Sequence, residues 1–120
     1  MQPGGETMTY YIAGLLGSKA KESLLMYLFA RGKAYVSEVA AFYPELSRSA
    51  IQNAAEVLEK DGVLIEGQQG NLRIYEFNPR CPYVRTLQLM LQDVSKCYPP
   101  ADRERLFIYR AAPRRKGKTV

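Results

Sequence analysis

The sequence has no histidine, only two cysteines, and no apolar run approaching the roughly 18 residues of a membrane-spanning helix. Each absence removes a class of function. Without histidine, the usual base for a serine or cysteine nucleophile is missing. There is no glycine-rich phosphate loop and no spaced pair of carboxylates, so a catalytic role is not expected. Cys81 and Cys97 stand 16 positions apart and bracket what reads as one helix. At about 1.5 Å per residue they are separated by about 24 Å, against a limit of about 7 Å between the Cα atoms of a disulfide. No CxxC or CxC spacing occurs, and the chain has no histidine, so a closed zinc site is nearly excluded. Two reduced thiols are the plain reading, with redox or metal sensing as the alternative. The opening MQPGGETM lacks the charged-then-apolar form of a secretory signal, so a cytoplasmic protein without a cofactor or membrane partner is expected.

What is present is enough apolar material, 47% of 120 residues, to build one small core. The net charge of +5 is unevenly spread. Residues 1–46 carry four Lys and Arg against four Asp and Glu, residues 47–80 four against five, and residues 81–120 nine against three. Arg110, Arg114, Arg115, Lys116 and Lys118 lie in a final stretch with no acid. The positive charge therefore belongs to a tail, and that tail is expected to set the salt dependence of any binding to a polyanion.

Hydrophobic periodicity divides the chain. Apolar residues at 11, 12, 15 and 16 predict a short helix closed by Gly17, and Ser18 caps a second helix that Gly32 stops. Residues 33–35 read as extended, and a two-turn helix follows from about Ser37 to Tyr43. Pro44 forces a turn, and Ser47 caps a helix over 48–61. In that helix Ile51, Ala54, Ala55 and Leu58 fall at i, i+3, i+4 and i+7, the spacing of one buried face. Its other face begins with Arg48, Ser49, Gln52 and Asn53, neutral and rich in donors, where an ordinary surface helix would favour carboxylates. VLIEG and NLRIYEFNP are β-rich and joined by the polar turn QQG. A long helix over 83–98 follows, with Val84, Leu87, Leu91, Val94 and Tyr98 at 3–4 spacing. ADRERLFIYRAAP fits helix or strand, and RRKGKTV reads as disordered.

The fold class implied by this order is mainly α with a small β-hairpin: a winged helix-turn-helix flanked by N- and C-terminal helices. Residues 1–8 are assigned to a disordered terminus, 9–98 to the domain with its dimerisation helix, and 99–120 to the basic tail. LLGSKAKESLLMYLF, AYVSEVAAFYPELSRSAIQNAAEVLEKDGVL and YEFNPRCP together resemble ArsR-type winged-helix regulators. The resemblance implies a homodimer that lays helix 48–61 in a DNA major groove while the hairpin touches the flanking backbone. Base edges are read by short forked donors and acceptors, so Ser47, Arg48, Ser49, Gln52 and Asn53 are expected to contact duplex DNA. Gln68, Gln69, Asn71 and Arg73 are expected to do so from the hairpin. The expected dimer surface combines Tyr11 and Leu15 with Val84, Leu87, Leu91, Val94 and Tyr98. Glu56 and Val57 stand where such relatives commonly carry Lys or Arg. A protein-binding adaptor, or an RNA-binding module using hairpin and tail, therefore remains an alternative.

Overall fold

The structure, a computed structural model, describes residues 8–107. These form six helices and a three-stranded antiparallel sheet, an α+β arrangement. Helix α1 (Ala13–Leu16) ends where Gly17 turns to a φ of 104°, a left-handed conformation that a Cβ would strain. Ser18 accepts the Lys21 amide at 3.1 Å and starts α2 (Lys19–Arg31). Strand β1 (Lys33–Tyr35) leads into α3 (Val36–Phe42), and α4 (Arg48–Lys60) follows the Pro44 turn. Strands β2 (Leu64–Gln69) and β3 (Leu72–Phe77) precede α5 (Val84–Ser95) and α6 (Pro100–Phe107).

Residues 22–28 of α2 are all buried, so this helix has no solvent face over nearly two turns. A helix enclosed on all sides is the centre of a fold, and α4, α5 and α6 all pack on it. Ile51 of α4 is fully buried in that contact, and burying such a side chain contributes about 2 kcal/mol. β3 is the middle strand, paired with β2 on one side and β1 on the other, so that Glu66 and Ala34 both stand opposite Tyr75. Asn78 closes the open end of the hairpin. Its Nδ2 donates to the Gly62 carbonyl at 2.9 Å and its backbone amide to that of Val63 at 2.9 Å.

Several expectations are corrected. The cap of α3 is Tyr35, whose amide donates to Glu38 Oε1 at 3.2 Å, so Ser37 lies inside the helix. The hairpin turn is Gly70-Asn71, because β2 continues through Gln68 and Gln69. The sheet gains a third strand from residues 33–35. Met8 is buried in the core and does not belong to a loose terminus. Residues 100–107 are helical and Leu106 is fully buried, so the folded domain extends past residue 98. Arg31 fixes that last helix by donating to the Leu106 and Arg105 carbonyls at 2.8 and 3.0 Å. The expected disorder of RRKGKTV lies outside the described residues. Both cysteines are free, Cys81 buried and Cys97 exposed.

Candidate nucleic-acid interface

Ser47 spends its hydroxyl locally, accepting from the Ala50 amide at 3.0 Å. It thereby fixes the start of α4 and the direction of the residues that follow. Arg48, Ser49 and Asn53 are exposed beyond it, while Ile51, Ala54, Ala55 and Leu58 are buried as their spacing required. Gln52 departs from the simple picture. It is half-buried, with Nε2 donating to Glu56 Oε2 at 3.0 Å and lying 3.5 Å from the Tyr75 hydroxyl of β3. The helix face and the hairpin are therefore physically joined at Gln52. Burial pushes the Tyr75 hydroxyl above its ordinary pKa, so it stays protonated.

On the hairpin, Gln68 and Asn71 are exposed. Gln69 and Arg73 already have partners. Gln69 Oε1 accepts from the Tyr35 hydroxyl at 2.9 Å, and Arg73 Nε pairs with Glu66 Oε2 at 3.0 Å. An exposed pair of this kind is weak, about 0–1 kcal/mol, so Arg73 can exchange Glu66 for another anion at little cost. Residues 8–107 carry twelve Lys and Arg against eleven Asp and Glu, so the described surface has almost no net charge. The five tail cations lie outside the described residues.

Sequence reasoning missed what holds α4 from behind. The Pro44 turn is anchored by Tyr10, whose hydroxyl donates to Glu45 Oε2. Burial, then that hydrogen bond, raises the Tyr10 pKa. Arg105 of α6 reaches the same connection, donating to the Phe42 carbonyl at 3.3 Å and stacking 4.7 Å over the Phe42 ring. Glu22, buried completely in α2, accepts the Tyr11 and Ile12 amides at 3.0 and 2.8 Å and the Tyr98 hydroxyl at 2.6 Å. Nothing in the local sequence marks this hub, because an acid within an amphipathic helix ordinarily belongs to its solvent face.

The surface expected between two copies divides in two. Leu91 and Tyr98 are buried in the chain's own core and present nothing outward. Leu87 and Val94 pack partly against that core, and Val84 is half-buried. Tyr11, stacked on Tyr98 with ring centroids 5.4 Å apart, is 48% exposed, and Leu15 is 72% exposed. Only Tyr11 and Leu15 of the seven present a large apolar surface. No helix of the described residues is long and apolar enough to cross a membrane. Comparison with protein-family models, curated proteins and solved structures gave no match.

Proposed function

We propose that this chain is a winged helix-turn-helix protein that binds duplex DNA as a homodimer and regulates transcription in the cytoplasm. α3 and α4 form the helix-turn-helix, α4 reads the major groove, and the β2–β3 hairpin is the wing. One observation carries the reading: α4 turns Arg48, Ser49 and Asn53 outward along one exposed face while its opposite ridge is buried, beside a hairpin with a polar tip. The sequence resemblance to ArsR-type regulators supports it. Arg48 and Asn53 match the donor and acceptor patterns of guanine and adenine edges, and Ser49 suits a phosphate. The role is recognition rather than catalysis, in keeping with a chain that lacks histidine. Because the domain itself is nearly neutral, the five cations after Phe107 supply the attraction to phosphates.

The test is selection from random duplexes with the purified 120-residue protein at physiological salt. Two-fold symmetry predicts an inverted repeat with half-sites about one helical turn apart. Absence of any enriched sequence would overturn the proposal. It would favour a protein-binding adaptor, a reading to which one feature speaks: Val57 is 43% exposed on α4 between Glu56 and Lys60.

Assembly has its own test. Leu15→Glu lies on the surface, so stability should change by less than about 0.5 kcal/mol, while the protein sediments as a monomer and loses tight binding to paired half-sites. Leu91→Glu cannot report on assembly, because it would bury an unpaired charge in the chain's own core. A dimer that survives Leu15→Glu unchanged would remove α1 from the interface.

A further inference from the structure

Gln52 and Glu56, one turn apart on α4, are joined through Gln52 Nε2 and Glu56 Oε2 at 3.0 Å. Chemistry fixes which end of the amide makes this bond. An ionised carboxylate only accepts, so the NH2 group must face it; turning the amide would oppose two acceptor oxygens. The same nitrogen lies 3.5 Å from the Tyr75 hydroxyl. Both N–H bonds of Gln52 are thus directed to protein groups, and Oε1 is the end with no protein partner among the described residues. Glu56 is exposed and holds its carboxylate at the nitrogen end of the same amide. The middle of α4 therefore offers acceptors, in contrast to the donors of Arg48 one turn earlier.

We infer, building on the DNA-binding reading above, that Glu56 is a positioning residue that makes Gln52 an acceptor-only group, and that this pair selects a base carrying an exocyclic amino group. In the major groove those bases are cytosine, through N4, and adenine, through N6. Guanine presents O6 and N7 and thymine presents O4, which would meet Oε1 and the carboxylate acceptor to acceptor. An unrestrained glutamine behaves differently. It holds adenine by two bonds, accepting from N6 and donating to N7, and so prefers adenine to cytosine. The bond to Glu56 removes the second of these, and adenine and cytosine become equivalent.

The experiment is parallel selection from random duplexes with the wild-type protein and Glu56→Ala, an exposed substitution that leaves the core intact. In the wild type, one position of each half-site should accept adenine and cytosine alike, with guanine and thymine depleted at least about fivefold. In Glu56→Ala that position should move to adenine over cytosine while the rest of the site is unchanged. Affinity for all duplexes should rise, because a negative charge has left the interface. Identical enriched sites for the two proteins, or guanine at the affected position, would overturn the inference and leave DNA binding standing. No enriched site for the wild type would overturn both. An independent readout needs no DNA: in the free protein the Gln52 side-chain amide protons should move to the range of an exposed glutamine in Glu56→Ala, and unchanged resonances would overturn the pairing.

Discussion

Replacing Glu22 with alanine is expected to destabilise the fold by about 3–5 kcal/mol, among the larger costs a single substitution imposes. The carboxylate lies with no exposure in α2 and serves the Tyr11 amide, the Ile12 amide and the Tyr98 hydroxyl. Removing it leaves those donors without an acceptor in a region closed to water, and each stranded group costs about 1–3 kcal/mol. Glu22→Gln keeps one acceptor oxygen but turns an NH2 toward donors, so it should lose less than alanine yet remain well below the wild type. Urea unfolding measures both. A loss under about 1 kcal/mol for Glu22→Ala would mean the amides of residues 11 and 12 find other partners. The pH dependence follows from Tyr98, whose pKa is raised by burial first and by its bond to Glu22 second. The unfolded tyrosine ionises near 10.0 while the folded one does not. Stability from this group is therefore complete below pH 10 and is lost as pH climbs above it.

A second large effect is expected at the proposed DNA surface. Arg48, Gln52 and Asn53 changed together to alanine should weaken binding to the selected site by at least about two orders of magnitude, since each base contact contributes about 1–3 kcal/mol. Arg48 and Asn53 are exposed, and of the three only the Gln52 side chain has hydrogen-bond partners among the described residues, so unfolding stability should fall by less than about 1 kcal/mol. The separation of the two readouts is what makes the variant informative. Gel-shift titration at fixed salt against both selected and scrambled duplexes should show the selected site falling to the level of the scrambled one. Equal affinity of the triple variant and the wild type for the selected site would remove α4 as the reading helix.

Much of this architecture follows from periodicity and capping chemistry. Ile51, Ala54, Ala55 and Leu58 identify the inner face of α4 because a 3.6-residue repeat leaves no other way to bury them together. Ser18, Gly17 and Gly32 mark the ends of α1 and α2 through the groups that helix termini leave unsatisfied. What was not legible depended on distant partners. Nothing local says that Glu22 will be buried, because its acceptors' work is to hold residues 11, 12 and 98. Residues 33–35 are too short to announce a sheet and become β1 only because β3 offers them an edge. Leu91 and Tyr98 illustrate the opposite error. The helix expected over 83–98 is α5, Val84–Ser95, with Tyr98 beyond its end; the segment carries more apolar surface than one face requires, and spacing cannot tell which of those side chains the chain uses on itself. The candidate site was legible as a set of exposed residue types, but the restraint of Gln52 by Glu56 and Tyr75 depends on a strand 23 positions away.

The anchoring of the Pro44 turn from both ends of the described residues, by Tyr10 and Arg105, has a consequence for how the protein is made. Thr9 donates to Asp102 across 93 positions, and Arg105 meets the Met8 sulfur across 97, so the final clasp spans almost the whole described sequence. Closing so long a loop carries an entropic cost that is recovered only when both ends are present. During synthesis Met8, Thr9 and Tyr10 emerge well before Asp102 and Arg105, the residues they meet or converge with. Tyr10 and Arg105 converge on the connection between α3 and α4, so that connection gains its last support only when α6 has left the ribosome. A nascent chain thus carries the residues of α4 well before it carries the side chains that brace the α3–α4 connection from behind.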